Sequence, residues 1–219
     1  MCGIFGIISQ NPPRRTHLKM LARRSERRGK DSSGMVKIAD GKCVVLRSDQ
    51  RLTKLLRTFS IGTSRLVFGH SRLVTNGTED NQPVVRDGIV VVHNGIVVNH
   101  AEIWPQLNAE PRLGVDTEVI AAIIATYLSQ GGDLSKAADK VFELCNGVVS
   151  CLCLIPAQGK LLAFSNNGSL FEGALNGDVF FASEAETLHQ IGCRDVAVVG
   201  SPRVLDVPVA DHGISETDI

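Results

Sequence analysis

From Met35 to Ala182 the chain is cut into short apolar runs, each closed by Gly, Asp or Asn, and this punctuation narrows the choice of fold. Met35–Ile38 and Cys43–Leu46 flank Ala39-Asp40-Gly41-Lys42, a hairpin signal. Leu66–Phe68 and Ile89–Val92 read as strands, as do Val148–Ile155, Leu161–Ser165, Ser169–Leu175 and Val179–Ala182. Two helices are adjacent mid-chain. Asp116-Thr117-Glu118 places acids in the first turn before Val119–Ser129, Gly131-Gly132 closes that helix, and a second runs from about Leu134 to Leu144. Ser183-Glu184-Ala185-Glu186 opens a short third one. Strands dominate without a regular βαβ alternation, so the sequence predicts an α+β fold of mainly antiparallel sheets with layered helices. Residues 206–219 are polar and acidic and read either as an ordered edge or as a frayed tail.

The start of the chain adds a strand and a charged helix. Gly3-Ile4-Phe5-Gly6-Ile7-Ile8 reads as a buried strand ending in the breaker cluster Ser9-Gln10-Asn11-Pro12-Pro13. Residues 14–30 carry eight basic residues against Glu26, with Leu18, Leu21 and Ala22 as a thin apolar stripe. The plain reading is a surface helix with a solvated basic face. A sharper one is a patch for a phosphate, an acidic partner or nucleic acid, which one helix does not establish.

Composition excludes several function classes. Lys+Arg and Asp+Glu both number 23, so the field of the whole protein favours neither nucleic acid nor acidic lipid. Aromatics make up 5%, with one Trp and one Tyr, too few for a platform that stacks single-stranded bases. At 43% hydrophobic residues the chain is not disordered. The longest apolar stretch, near Val119–Ala125, falls far short of the roughly 18 residues a span needs. The N-terminus lacks a basic region and a small-residue cleavage site. No membrane partner and no nucleic acid are therefore expected, and the setting is read as cytoplasmic. The six cysteines form no C-x-x-C pair, and Cys151 and Cys153 share a strand face, so they are read as buried, reduced thiols. No zinc-like spacing and no glycine-rich phosphate loop occurs, so neither metal nor organic cofactor is implied. His17 and His212 are expected in solvent, and His70 and His93 in packing or supporting roles. Lys30 lies in a loop where it could meet a phosphate.

Cys2 carries the sharpest chemical signal. Removal of Met1 leaves a residue bearing both a thiol and an α-amine. That amine has a reference pKa of about 7.7–8.0 and can take the thiol proton. Four polar segments join it: Arg28-Gly29-Lys30-Asp31-Ser32-Ser33-Gly34, Gly69-His70-Ser71-Arg72-Leu73-Val74-Thr75-Asn76-Gly77, His93-Asn94-Gly95, and Asp116-Thr117-Glu118. With Cys2-Gly3-Ile4-Phe5-Gly6-Ile7, Asn81-Gln82-Pro83 and Asn99, they follow the order and approximate spacing of the class II glutamine amidotransferases, which the chain resembles over roughly residues 2–200. His93–His100 and Asp116–Ala121 look most like the glutaminase domain of glucosamine-6-phosphate synthase.

The resemblance implies a four-layer αββα N-terminal-nucleophile hydrolase fold, with residues 1–219 as a single glutaminase domain. It implies Cys2 as nucleophile, with Asn94 and the Gly95 N–H as oxyanion donors. Arg72 would anchor the substrate carboxylate and Asp116 its ammonium. Thr75 and Asn76 would add hydrogen bonds, and Arg28 would support Cys2. The activity implied is hydrolysis of L-glutamine through a γ-glutamyl thioester. The ammonia would pass to a synthase or isomerase partner that aminates a sugar phosphate, and an oligomer is left open. Two positions depart from the family pattern: Leu73 stands where that branch usually has Trp, and Asn76 where it usually has His. The acceptor domain of such synthases is not in this chain, so a separate subunit or an excised domain is expected. Two alternatives remain: an N-terminal-cysteine hydrolase of other amides, and a non-catalytic glutamine-binding subunit.

Overall fold

A computed structural model describes residues 2–73 and 80–219. In chain order the elements are β1 (Gly3–Ile8), α1 (Arg15–Glu26), β2 (Ser32–Ala39), β3 (Lys42–Ser48), α2 (Leu52–Thr58), β4 (Leu66–Arg72), β5 (Val84–Arg86) and β6 (Ile89–Val97). Then come α3 (His100–Ile103), α4 (Thr117–Ser129), α5 (Leu134–Leu144), β7 (Gly147–Ile155), β8 (Lys160–Ser165), β9 (Phe171–Leu175) and β10 (Asp178–Ala182). The chain closes with α6 (Ala185–Ile191), β11 (Arg194–Val198), β12 (Arg203–Asp206) and β13 (Ile214–Asp218).

The strands form two sheets, ordered β11-β9-β10-β1-β4-β2-β3-β13 and β12-β8-β7-β6-β5. Among the described residues every pairing is antiparallel except β13 with β3, which is parallel. Side chains on successive strand residues point to opposite faces, so each strand feeds two apolar layers. On β1, Ile4 packs between the sheets, whereas Phe5 and Ile7 pack with Leu18 and Leu21 of α1 and Leu55 of α2. On β6, Val90 and Val92 face the first sheet, while Val91 and Val97 lie with Ile120, Ile123 and Val141 of α4 and α5. Three apolar clusters thus separate four layers, the αββα arrangement expected above.

The hairpin is β2–β3, the basic segment forms α1, and α5 has the anticipated bounds. Residues 206–219 are the ordered edge of the two readings, because β13 adds to the side of β3. Five elements were not anticipated: α2, α3, β5, β11 and β12. Each is short, and α2 buries only Leu52, Leu55 and Leu56. His17 departs from its expectation: it is half-buried, its ring edge-on to Phe180 at 5.5 Å between centroids. His212 is exposed, as expected. All six cysteines are free; five are buried and Cys2 is partly exposed. No helix among the described residues is long and apolar enough to cross a membrane.

Candidate active site

Alternation along three strands turns Cys2, Arg72 and Asn94 toward the space between the sheets. Cys2 has the parity of Ile4, Arg72 that of Leu66 and Phe68, and Asn94 that of Val90 and Val92. Gly3 at the start of β1 pairs with Ser71 at the end of β4, so Cys2 and Arg72 occupy the same end of the first sheet. The Arg72 and Asp116 charges both act on the Cys2 thiol, so the two sheets contribute to one site.

Two close backbone approaches hold the thiol there. A Cβ on Gly3 would lie 2.4 Å from the Ser25 carbonyl oxygen, so only glycine lets β1 run this close to α1. A Cβ on Gly29 would lie 2.3 Å from the Arg72 carbonyl carbon, and Ser71 Oγ donates to the Gly29 carbonyl at 2.7 Å. Between these points Arg28 Nε donates to the Cys2 carbonyl at 2.9 Å and Arg28 Nη1 meets Glu184 Oε1 at 3.1 Å. Arg28 therefore fixes the Cys2 carbonyl between β1 and Glu184. The thiol lies 3.7 Å from the Leu73 carbonyl oxygen. Burial pushes the Cys2 pKa up, Leu73 backbone contact and the Arg72 charge pull it down, and Asp116 adds to the rise. A thiol held in its neutral form needs a base to react.

The second sheet supplies donors. Val149 exchanges both backbone hydrogen bonds with Asn166, giving its N–H to Oδ1 at 2.8 Å and accepting the Asn166 N–H at 2.9 Å. Its partner across the ladder, Gly95, is therefore in a non-hydrogen-bonded pair, and the Gly95 N–H points away from β7. On that edge β5 has already ended, and the N–H groups of residues 93, 95 and 97 lie in a row. The His93 N–H goes to Gln82 Oε1 at 2.6 Å and the Val97 N–H to Asp116 Oδ2 at 2.7 Å. Between them the Gly95 N–H has no acceptor among the described residues. Asn94, 2% exposed, likewise makes no side-chain hydrogen bond among them. Gly95 has φ +155°, and a Cβ there would sit 1.8 Å from the Val148 carbonyl oxygen, so no other residue fits.

Asp116 is held beside these donors. Its Oδ2 takes the Val97 N–H, and Oδ1 lies 4.0 Å from His93 Nδ1. Burial lowers the His93 pKa, although Asp116 opposes the shift, so the ring is neutral. Nε2 faces the Val148 carbonyl at 3.1 Å and must carry the hydrogen, which leaves Nδ1 to accept from Thr117 Oγ1 at 3.3 Å. His93 thus supports Asp116 and Gly95 from behind. His70 is fully buried on the inner face, neither ring nitrogen has a hydrogen-bond partner among the described residues, and burial lowers its pKa to about 3.

Several supporting residues had no role assigned from sequence. Asn81 Nδ2 donates to the Ser33 and Ser48 carbonyls, and Gln82 takes the His93 N–H. Asn81-Gln82-Pro83 was already a marked segment, so its signal existed; its task did not show. Glu118 is buried against Arg86 at 2.5 Å and also accepts the N–H groups of Arg112 and Leu113. Asn99 ties the exit of β6 to the start of β7, donating to the Leu144 carbonyl and accepting the Asn146 N–H. Thr75 and Asn76 lie outside the described residues. Lys30 is exposed. Leu73, Ile96, Val98 and Val148 expose apolar surface near the Cys2 and Gly95 positions, Val98 at 71%. Among the described residues no group of three or more His, Cys, Asp or Glu could hold a metal ion.

Residues 70–190 match the family model described as a glutamine amidotransferase domain. The glutamine–fructose-6-phosphate aminotransferase (isomerizing) of Xylella fastidiosa is 33% identical over 199 residues, covering 87% of this chain and 32% of that protein. The protein of the same description from Pyrobaculum aerophilum is 33% identical over 212 residues, covering 90% of this chain and 35% of its own. The chain thus spans about a third of the length of these curated relatives. Among solved structures, the glutamine phosphoribosylpyrophosphate amidotransferase of B. subtilis superposes with a TM-score of 0.69 at 21% identity, over 94% of this chain and 49% of that one. A glutamine aminotransferase class-II domain protein from Silicibacter pomeroyi gives a TM-score of 0.56 at 10% identity, over 94% and 99%.

Proposed function

The chain belongs to the class II glutamine amidotransferase family, and from that premise we propose that it hydrolyses L-glutamine to glutamate and ammonia with Cys2 as nucleophile. The observation that carries the reading is the pair of unclaimed donors, the Asn94 amide and the Gly95 N–H, in one site with a partly exposed thiol, a guanidinium and a carboxylate. Arg72 takes the substrate α-carboxylate in a forked hydrogen bond. Asp116 takes the α-ammonium through Oδ1, since Oδ2 is already engaged by Val97. With Met1 removed, the α-amine of Cys2 accepts the thiol proton and the thiolate adds to the side-chain amide carbon. The resulting oxyanion sits between Asn94 and Gly95. The protonated amine delivers its proton to the leaving nitrogen, the C–N bond breaks, and ammonia departs from a γ-glutamyl thioester. Water then adds to the thioester carbonyl, the amine takes the water proton, and the C–S bond breaks to give glutamate and free Cys2.

Residues 1–219 act as one glutaminase domain in this reading. The ammonia goes to a synthase unit, on another chain or elsewhere in a longer one, that aminates a sugar phosphate. Support for the acceptor comes from the two relatives described as glutamine–fructose-6-phosphate aminotransferases. The apolar surface at Leu73, Ile96, Val98 and Val148 offers that unit a place to close over the site. The test is glutamate release from L-glutamine by purified protein whose intact mass shows loss of Met1. Release that vanishes in Cys2→Ala supports the proposal. No release from processed protein, alone and with the synthase unit supplied, overturns it.

A further inference from the structure

Helices α1 and α2 pack antiparallel on the outer face of the larger sheet. Arg15, at the start of α1, gives its guanidinium to the Leu56 and Phe59 carbonyls at the end of α2, at 2.7 and 3.3 Å. Glu26, at the end of α1, takes the Thr53 N–H and hydroxyl at the start of α2, at 3.0 and 2.6 Å. Between these fastenings lies a cavity of about 470 Å³. Its lining includes Arg15, Lys19, Arg23 and Arg57, against the single carboxylate of Glu26. Lys19, Arg23 and Arg57 have no ion-pair partner among the described residues.

Helix stability accounts for only part of this arrangement: Arg23 and Arg57 lie in last turns, where the dipole favours cations, but Arg15 and Lys19 do not. Arg15, Lys19 and Arg23 follow one another at i, i+4 and i+8, so each neighbouring pair repels. The first turn of α1 holds no acid, and Arg15 stands at the end where the helix dipole favours negative charge. Nor does the composition account for it, since basic and acidic residues balance over the whole chain. A local sequence that opposes its own element is the usual mark of a functional site. The volume matches a pocket for a small molecule, and cations on both helix walls suit a compact polyanion better than the flat acidic face of another protein. We propose that the α1–α2 groove binds a phosphate-bearing small molecule, with Lys19, Arg23 and Arg57 holding its phosphate oxygens. Helix α1 and the turn that follows it also touch the site described above, through Ser25 of the helix against Gly3 and Arg28 of the turn on the Cys2 carbonyl. Occupancy of the groove therefore alters turnover at Cys2; this coupling rests on the glutaminase reading, whereas the binding does not.

The test is isothermal titration of the purified chain at fixed ionic strength with four probes: inorganic phosphate, pyrophosphate, a hexose phosphate and a nucleoside diphosphate. The affinity order tells a free phosphate group from a sugar- or nucleotide-borne one. The expected result is saturable binding of at least one probe, weakened tenfold or more in Lys19→Gln/Arg23→Gln. Both side chains are exposed, so that variant should keep the wild-type thermal midpoint or exceed it. A second charge-removing variant, Arg57→Gln, should weaken binding in the same direction. The proposal is overturned by no saturable binding of any probe, by equal binding in the variants, or by a glutamate-rich peptide binding where all four probes fail. Glutamine turnover with the bound probe present should then change at least twofold in wild type and not in the double variant. A chain without glutaminase activity would leave the titration result standing.

Discussion

In the proposed mechanism Asn94 and Gly95 divide the work of one oxyanion site between a side chain and a backbone N–H, and their tolerances to mutation differ. Asn94→Ala removes one donor and leaves the backbone free to stay as it is, so kcat should fall about 10²–10³-fold with little change in KM. Steady-state glutamate release measures this, and a loss confined to KM would contradict the assignment. Gly95 admits no such clean test, because any Cβ meets the Val148 carbonyl oxygen. Asp116→Asn keeps an oxygen for the Val97 N–H but loses the charge. The lost ammonium pair should raise KM for glutamine by roughly 10–100-fold, the equivalent of about 1.5–3 kcal/mol. An unchanged KM would point to a substrate without an α-ammonium. These residues stood out in sequence because their segments follow the order and spacing of a known family at strand ends and a helix start. The task of His93 and Gln82 did not show, because it is to fill hydrogen bonds from behind, and any buried polar residue looks the same in a linear chain.

The N-terminus of α4 shows how one segment places the carboxylate proposed as the ammonium anchor. Asp116 immediately precedes α4, while Glu118, two residues later, is 1% exposed and binds Arg86 and the 112–113 backbone. Arg86 in turn lies over the Trp104 ring at 5.0 Å. Removing one partner strands a buried charge, so Glu118→Gln should cost about 3–5 kcal/mol in urea unfolding. Its KM should also rise as Asp116 loses its fixed position. A loss below about 1 kcal/mol would mean that the pair is solvated. The sequence showed α4 by its acids and its apolar run, but gave Glu118 no partner, since Arg86 lies on β5, an element too short to read. For the same reason α2 was not visible: its three buried leucines make less than two turns of pattern, and its place is set by Arg15 and Glu26 from α1.

His70 is buried between the two sheets and His93 between the smaller sheet and α4, and this ties global stability to pH. Burial lowers the His70 pKa from its ordinary 6.5 to about 3, and that of His93 in the same direction. The unfolded chain therefore binds protons below pH 6.5 that the folded one refuses. Stability is complete above pH 6.5 and is lost as the pH falls from there toward 3, by about 1.4 kcal/mol per pH unit for each fully shifted histidine. His70→Leu should flatten the slope of unfolding free energy between pH 6.5 and 5 by up to that amount, as read from urea midpoints. Identical slopes would show that His70 is protonated in the fold. What the linear chain settled was local: where apolar runs begin and end, which turns need glycine, and which reactive side chains lie at their ends. Those features follow from covalent chemistry and near-neighbour spacing, so they are legible without a fold. Two other matters needed the assembled layers: which of two equal readings residues 206–219 would take, and which backbone donor would stay unclaimed. The first turned on β3 offering an open edge to β13. The second turned on Val149 spending its hydrogen bonds on Asn166, so that the Gly95 N–H faced away from its own ladder. Both depend on pairings between residues far apart in sequence, and no local pattern encodes which of two distant edges will meet.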